Sequence, residues 1–278
     1  MPPYAAHVTS PGPVAIRWLG HATVQIELAG VRVLTDPALT PRLAHLKRHH
    51  TVDPASIQAP DVILISHVHL DHLHLPSLAR FGRDTAVIVP AGAGPLVRRQ
   101  GFRNIHETRA GQTRELDALT IETVPAVHPR RRGPHSRVAA DPVGYLLRAG
   151  GTSVYFPGDT ELFDAMGTWS PIDLALLPIG GWGRSVGDGH LDPTSAVRAT
   201  ELIQPRFVVP IHWGTYSPVG VRRPRWLDTP AERFGSELDA AGHGDVLHLL
   251  RPGESLALPA PTAGSEATSN VLEDVRQQ

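Results

Sequence analysis

The stretch SHVHLDH, residues 66–72, is the part of this chain that indicates most directly which chemistry to expect. It places three histidines and one aspartate within six residues, directly after the apolar run VILI at residues 62–65. Imidazole nitrogens and carboxylate oxygens are ligands that suit zinc and its neighbours among the transition metals. Clustered His and Asp at fixed spacing therefore predict a metal site, and the richness of the cluster favours two ions.

The spacing within this stretch indicates how its side chains are positioned. The run over residues 61–66 is too short for a typical helix, so it predicts a buried parallel strand. His67 and His69 are two residues apart and point the same way if the chain stays extended. Residues 71–72 fall where the chain turns toward a helix predicted over 75–81, so Asp and His can face a second ion there.

Two ions need more ligands than this stretch offers, and three later residues can supply them. His128, Asp159 and His212 each follow an apolar, strand-like run, in the stretches VPAVH, FPGDT and VVPIH. The active face of an open sheet lies at the ends of its strands. Each residue alone reads equally well as a turn residue, and it is their shared placement that favours ligands.

Composition excludes several classes of protein. The 278-residue chain is 41% hydrophobic, which is ordinary for a globular protein, and it has no cysteine, so His, Asp or Glu must hold any metal. The formal charge of -1 argues against general nucleic-acid affinity. No apolar run approaches the roughly 20 residues of a membrane span, and the first residues do not resemble a secretory leader. We therefore expect no transmembrane segment, no nucleic-acid partner and a cytoplasmic protein.

One continuous domain is expected over residues 14–258. Residues 1–13 are rich in Pro and small residues and residues 259–278 are polar, so both segments are expected to be flexible. Short strands come first, and strands then alternate with helices. This order predicts an α/β protein with mixed sheets and helices packed outside them.

Three local features refine this outline. Asp192 and Pro193 are the cap and the first residue of a well-signalled helix. A closing strand is predicted over 246–250. Residues 38–60 contain several prolines and predict a loop over the active face. Three histidines of this loop are expected to be solvated rather than bound to metal: His45, His49 and His50.

The order HxHxDH, His, Asp, His resembles the metallo-β-lactamase fold superfamily, over residues 16–258. The stretches RWLGHATVQIELAGVRVLTDP, FPGDT and LPIGGW followed by GHLDPTSAV resemble more narrowly the branch of L-ascorbate 6-phosphate lactonase and N-acylphosphatidylethanolamine phospholipase D. The resemblance implies an αββα sandwich, two mixed β-sheets flanked by helices, with the metals between the sheets.

The resemblance also implies how the ligands are divided between two divalent ions. One ion would be held by His67, His69 and His128, the other by Asp71, His72 and His212, and Asp159 would bridge them. Zinc is the expected metal, with manganese and iron as alternatives, because His and Asp suit all three.

Metal-dependent hydrolysis is the expected activity, because two dications lower the pKa of a shared water toward roughly 7. Asp71 would orient the resulting hydroxide and accept its proton. His190, suggested by the family pattern, or Arg184 would stabilise the developing charge. His21, in WLGHAT, is expected to orient one of the side chains that bind metal.

The substrate is expected to be anionic. Three arginines follow His128 in HPRRRGPH, and guanidinium groups match phosphate oxygens. Arg130 and Arg131 are therefore candidate contacts to a phosphodiester or another phosphate-bearing small molecule or lipid.

Several alternatives stay open. The same site would serve a lactonase or a β-lactamase-like hydrolase, a di-iron redox enzyme, or a non-catalytic metal-binding protein. The stretch GRSVG matches GxSxG, which makes Ser185 a weak candidate nucleophile with Asp228 and His243 or His248. A homo-oligomer is also open, since tryptophans can line either a pocket or an interface: Trp182, Trp213 and Trp226.

Overall fold

Buried and less buried side chains alternate along the first strands, so one face of each lies against the core. These strands are β1 (Val14–Gly20), β2 (Thr23–Leu28) and β3 (Val31–Thr35). They pair as an antiparallel meander. Ala29 and Gly30 make the predicted turn, and both have positive φ.

The computed structural model describes residues 14–259. The expected flexible segments 1–13 and 259–278, apart from Pro259, lie outside the described residues. Within the described part of the chain, no helix has the length and apolar character that a membrane span requires.

The meander belongs to a seven-stranded sheet. Its other strands are β6 (Val62–Leu64), β7 (Ala86–Pro90), β8 (Ile105–Thr108) and β16 (Ser255–Leu258). The order is β16-β1-β2-β3-β6-β7-β8, and the pairs from β3 to β8 are parallel. Residues that follow β3 and β6 therefore lie side by side at one edge of the sheet.

A six-stranded sheet contains the remaining large strands. These are β9 (Thr113–Leu116), β10 (Leu119–Pro125), β11 (Val143–Ala149), β12 (Thr152–Phe156), β13 (Leu174–Pro178) and β14 (Phe207–Ile211). The order is β14-β13-β12-β11-β10-β9, with β12, β13 and β14 parallel. Both sheets are thus mixed, as predicted.

Among residues 14–259, four α-helices flank the sheets: α1 (Leu75–Leu78), α2 (Gly94–Arg98), α3 (Pro193–Ile203) and α4 (Thr229–Ala240). Short 3-10 helices lie at Pro54–Ser56, Asp164–Trp169, Arg225–Leu227 and Gly244–Val246. Asp192 caps α3 as predicted, since its side chain accepts a hydrogen bond from the Ser195 backbone N–H at 2.9 Å.

Two apolar cores define the layers. The larger core joins the two sheets to α3 and α4 and includes Trp18, Tyr145 and Phe234. The smaller core lies on the other face of the first sheet, under α1 and α2, and includes Ile63 and Val97. The layers are therefore helix, sheet, sheet, helix, which confirms the predicted αββα sandwich.

The predicted loop over residues 38–60 is partly wrong. It contains β4 (Arg42–Leu43) and β5 (Leu46–Arg48), which form a small third sheet with β15 (Tyr216–Pro218). His49 and His50 are half-buried rather than solvated, and His49 Nε2 lies 2.7 Å from Ser217 Oγ. The stretch looked like a loop because the strand that pairs with it comes about 170 residues later in the chain.

The strand predicted over 246–250 is also wrong. Val246 ends a 3-10 helix, and only a single bridge joins Leu247 to Val208 of β14. Val246 and Leu247 pack against the larger core without forming a ladder. The apolar residues of this segment reflect burial, and burial alone does not distinguish a strand from an irregular segment.

Two buried tyrosines give a test of this packing. Tyr145 and Tyr155 are both fully buried, but the Tyr145 hydroxyl donates to the Ile65 carbonyl at 2.8 Å, whereas the Tyr155 hydroxyl has no partner among residues 14–259. We expect Tyr155→Phe to raise the free energy of unfolding by about 1 kcal/mol, because a buried unpaired hydroxyl is removed. Tyr145→Phe should lower it by a similar amount. Urea unfolding measures both, and a greater loss for Tyr155→Phe would contradict the packing described.

Candidate metal centre

Strand ends deliver the side chains of the site. Asp36 directly follows β3 and His212 directly follows β14. His67, His128 and Asp159 each stand three residues beyond a strand, namely β6, β10 and β12. The site therefore lies where the two sheets end beside each other, and it draws on both.

Three imidazoles form a first group on one side of the site, those of His67, His69 and His128. His67 Nε2 lies 3.0 Å from His69 Nδ1, which lies 2.9 Å from His128 Nε2. Nitrogens bound to one tetrahedral zinc at 2.0–2.1 Å would be about 3.3 Å apart, so this spacing is close to that of a ligand set. Burial lowers the pKa of His67 well below its usual value and that of His128 to about 4. Both rings are neutral at pH 7 and have a lone pair to offer.

A second group lies beside the first. His72 Nε2 is 3.1 Å from His212 Nε2 and 3.9 Å from Asp71 Oδ2. Burial lowers the pKa of His212 to about 3. The ligand atoms of Asp71, His72, His212 and His21 all lie within 4.8 Å of one another, as do those of the first group.

Asp159 stands between the two groups. Its Oδ2 is 3.0 Å from His72 Nε2 and 4.0 Å from His67 Nε2. Its Oδ1 is 3.2 Å from His212 Nε2 but is buried without a hydrogen bond among the described residues. A carboxylate that lies beside imidazole nitrogens of both groups, and that has one buried oxygen without a hydrogen bond among residues 14–259, fits a divalent cation better than any neutral arrangement.

Three carboxylates give this site a negative potential. Burial lowers the pKa of His72, but Asp159, Asp36 and Asp71 outweigh it and raise the pKa well above the usual value. Surroundings that favour a positive charge on this buried imidazole also favour a metal cation at its Nε2. The residues present therefore suit divalent metal in charge as well as in donor type.

Asp36 supports the site from behind and was missed from the sequence. This fully buried carboxylate accepts hydrogen bonds from Ser66 N at 2.8 Å, from Ser66 Oγ at 2.5 Å and from His72 Nδ1 at 2.7 Å. Ser66 Oγ also lies 3.0 Å from His67 Nδ1. A signal existed, since Asp36 follows its strand just as the proposed ligands follow theirs.

His21 lies where the sequence placed it, against a proposed ligand. Its Nε2 is 3.0 Å from Asp71 Oδ2, and its ring centroid is 3.9 Å from that of His212. The backbone of His21 has positive φ and is held by hydrogen bonds to Thr215 Oγ1 at 2.7 Å and from His212 N at 2.9 Å. These contacts fix the ring against the second group.

The two groups open into a cleft of about 440 Å³. Its floor is formed by side chains of the site: His69, Asp71, Asp159, His190 and His212. Its walls include Arg132, Trp182 and apolar side chains from both sheets' loops. The atoms of these side chains that could bind a metal therefore face this cleft where the protein leaves them exposed.

His190 reaches the site from the loop before α3. Its Nε2 is 3.5 Å from Asp159 Oδ2, and its Nδ1 is 3.0 Å from the Gly187 carbonyl. Burial lowers the pKa of His190, but the Asp159 carboxylate and the carbonyls of Gly187 and Asp188 together raise it more, so the net pKa lies above the usual value. The His190 side chain also lines the cleft, beside Asp159.

The arginines proposed from the sequence do not line the cleft. Arg130 is exposed and pairs with Asp141 at 3.1 Å, while Arg131 and Arg184 are also exposed. Arg132 lines the cleft instead, and its guanidinium donates to the carbonyls of Val68 at 2.7 Å and Leu73 at 3.1 Å. The basic run at residues 130–132 does contain a side chain that lines the cleft, but its sequence does not indicate which of the three guanidinium groups turns inward.

The serine triad is not assembled. Ser185 is exposed, and Asp228 is engaged by Arg223 through two short hydrogen bonds of 2.5 and 2.6 Å. His248 packs against Phe207 with ring centroids 5.0 Å apart. Within residues 14–259, no hydrogen bond joins Ser185 to a histidine, which contradicts the serine alternative.

Comparison with known proteins identifies the family. The family described as "Beta-lactamase superfamily domain" matches residues 31–213. A UPF0173 metal-dependent hydrolase of Methanopyrus kandleri is 33% identical over 247 residues, which cover 86% of this chain and 98% of that protein. A UPF0173 metal-dependent hydrolase of Thermococcus onnurineus is 33% identical over 250 residues, or 88% of this chain and 100% of that protein.

Solved structures agree with this fold. Igni18, a metallo hydrolase of Ignicoccus hospitalis, superposes with a TM-score of 0.66 at 25% identity and covers 87% of this chain and 97% of that one. An isothiocyanate hydrolase from Delia radicum gut bacteria has a TM-score of 0.68 at 18% identity over 88% of this chain and 100% of that one, which shows the fold alone. The chain therefore belongs to the metallo-β-lactamase superfamily and, within it, to the UPF0173 family of metal-dependent hydrolases.

Proposed function

We propose that this chain is a hydrolase with two divalent metal ions. The ligand set is the one implied by the resemblance: His67, His69 and His128 for one ion, Asp71, His72 and His212 for the other, and Asp159 for both. The observation that carries the proposal is the position of Asp159, whose carboxylate lies between the two groups with a buried oxygen that has no hydrogen bond.

Zinc is the proposed metal, with manganese and iron as alternatives, because imidazole and carboxylate ligands suit all three. Bound divalent cations supply Lewis acidity and make hydroxide available near neutral pH. The fold supplies the rest: it positions the ligands, excludes water behind them and leaves one open face.

Asp71 is proposed to orient the attacking water and to accept its proton. Burial raises the pKa of Asp71, but His72 and the hydrogen bond from His21 lower it more, so the net pKa lies well below its usual value. The carboxylate is therefore ionised at neutral pH and faces the cleft. His21 holds it in place through the 3.0 Å contact to Oδ2.

His190 and Arg132 are proposed to stabilise the charge that develops on the substrate. His190 lies on the cleft floor beside Asp159, and Arg132 is fixed by two backbone carbonyls at the cleft wall. Arg132 forms no salt bridge with any carboxylate among the described residues. Its charge is free to pair with an anionic group of a substrate, and it replaces Arg130, Arg131 and Arg184 in this role.

A phosphodiester or another phosphate-bearing small molecule is the proposed substrate, because of Arg132. A lactone or a related neutral ester is the second candidate, because most of the cleft wall is apolar and Arg130, Arg131 and Arg184 lie outside it. Both reactions can use the same pair of metals, since the surrounding loops select the substrate.

Metal removal and reconstitution test the proposal. The purified protein is expected to contain about two equivalents of metal and to hydrolyse bis(p-nitrophenyl) phosphate or an aromatic lactone. A chelator should abolish the hydrolysis, and added metal should restore it. Metal binding without any hydrolysis would favour the non-catalytic alternative, and activity that survives chelation would contradict the proposal.

Asp71→Ala is expected to reduce turnover by about 10²- to 10⁴-fold, because the proton acceptor is lost. Ser185→Ala serves as the matched control and should keep its activity within about threefold. Steady-state kinetics measure both, and circular dichroism checks that the fold persists. A loss in Ser185→Ala as large as that in Asp71→Ala would revive the serine alternative.

Asp36→Asn is expected to weaken metal binding about 10- to 100-fold, because an amide cannot accept all three hydrogen bonds that orient Ser66 and His72. Asp61→Asn is the control, since Asp61 lies on the exposed surface at the opposite end of β6 and bonds Arg32. Competition with a chromogenic chelator measures the affinity. Equal affinities in the two variants would argue against the supporting role of Asp36.

Gly158→Ala is expected to lower both stability and metal content. A Cβ at Gly158 would overlap Ser66 Cβ and lie 2.5 Å from its Oγ, and the residue has φ of +64°. Gly150→Ala isolates the cost of positive φ, about 1 kcal/mol, because a Cβ there meets nothing within 4 Å. Urea unfolding and metal analysis compare them. Full metal content in Gly158→Ala would show that metal binding does not depend on the close approach of residue 158 to Ser66.

A further inference from the structure

The walls of the cleft over the candidate metal centre have few polar side chains outside the proposed metal ligands. Among the described residues that line the cleft, these are Arg132, Ser185, His45, His190 and the indole of Trp182, and Arg132 is the one with a permanent charge. In the described part of the chain, the cleft is lined by no Asn, Gln, Thr or Tyr. A substrate rich in hydroxyl groups would therefore leave most of them without a partner.

Bulky apolar side chains take the place of those polar groups. Leu70 and Trp182 are among the few large hydrophobic residues that are strongly exposed, at 47% and 39%, and both line the cleft. Leu43, Leu46 and Val186 line it as well. Apolar surface of this size at a binding site indicates an apolar partner, because its exposure to water is unfavourable.

The apolar wall adjoins the reacting centre. Leu70 stands between His69 and Asp71, and all three residues line the cleft. A group held against Leu70 is therefore next to whatever is bound over the proposed metals. The volume of about 440 Å³ lies in the range of small-molecule sites.

Two loops from different parts of the chain meet at this wall. The ring of His45, in the turn between β4 and β5, packs edge-to-face on Trp182 with centroids 5.3 Å apart and an interplanar angle of 87°. The His45 carbonyl accepts a hydrogen bond from Val219 N at 2.8 Å, which ties the turn to the segment after β15. Trp182 is thus supported by the turn between β4 and β5 and stays 39% exposed at the cleft.

We propose that the substrate is a small amphiphile, with one anionic group placed beside Arg132 and one alkyl or aryl group bound by the apolar wall of Leu70 and Trp182. This inference rests on the proposed hydrolase function and deepens it. It favours a singly charged ester with an apolar substituent, such as a phosphodiester, over a sugar phosphate. It also accounts for the placement of Arg130 and Arg131 outside the cleft, because one negative charge needs one guanidinium.

A series of p-nitrophenyl phosphodiesters tests the proposal, with methyl, ethyl, propyl and butyl as the second ester group and 2-methoxyethyl as a polar match for butyl. In the metal-reconstituted wild type, kcat/KM is expected to rise about threefold for each added methylene. The 2-methoxyethyl ester has the size of the butyl ester but an ether oxygen in place of one methylene, so it should stay well below the butyl ester. A flat series, or a 2-methoxyethyl ester as good as the butyl ester, would overturn the apolar wall.

Matched variants locate the effect. Leu70→Ala and Trp182→Ala should flatten the dependence on chain length, whereas Leu202→Ala should keep it, since Leu202 is 39% exposed on α3 and does not line the cleft. Thermal unfolding checks that all variants fold. A dependence retained in both cleft variants would contradict the assignment of the wall to these residues.

Calorimetric binding of two monoanionic, unreactive esters separates this inference from the proposed function. Butyl methylphosphonate is expected to bind the metal-loaded protein at least about tenfold more tightly than methyl methylphosphonate. Equal affinities would overturn the inference whether or not hydrolysis is found. Metal-dependent hydrolysis of the methyl ester with a flat series would leave the proposed function standing, and hydrolysis of no ester or lactone would count against the function alone.

Discussion

The hydrogen bonds of the Asp36 carboxylate are the interaction on which the metal centre depends. They join the end of β3 to the end of β6, and they orient His72 directly and His67 through Ser66. One buried carboxylate thereby aligns an imidazole from each group. Ser66 is in turn close to Gly158, where only a hydrogen side chain fits, so the segment that carries Asp159 approaches the same point. Carboxylates behind histidine ligands commonly set their tautomer and direction in this way.

The electrostatics of the centre combine two opposing effects. Burial keeps His67, His128 and His212 neutral by lowering the pKa of each ring, so their lone pairs are available. Buried carboxylates around His72 make the same region strongly favourable to positive charge. A site with neutral donors and a negative potential is suited to divalent cations. The Asp159 carboxylate, whose Oδ1 has no hydrogen bond among residues 14–259, lies beside imidazoles of both groups. The choice of substrate then depends on the walls of the cleft, which are mostly apolar and include Arg132.

The sequence was enough to predict the layers of the fold and the set of strand-end residues that meet in the site, because apolar runs followed by His or Asp have a direct structural meaning. It was not enough for features made by distant pairing. β5 pairs with β15, which lies far along the chain, so residues 38–60 read as a loop. Arg132 could not be distinguished from Arg130 and Arg131, because its direction depends on the carbonyls of a loop remote in sequence. The role of Asp36 cannot be predicted from the sequence, because an Asp-Pro pair at the end of a strand is also typical of an ordinary turn.

Two metal ions that share Asp159 would be close enough for their spins to couple. Electron paramagnetic resonance of the protein reconstituted with manganese measures this coupling. We expect the spectrum of an exchange-coupled pair in the wild type, and its loss in Asp159→Ala. A wild-type spectrum that contains only the hyperfine pattern of isolated manganese ions, at every metal loading, would show that the two ions do not share Asp159.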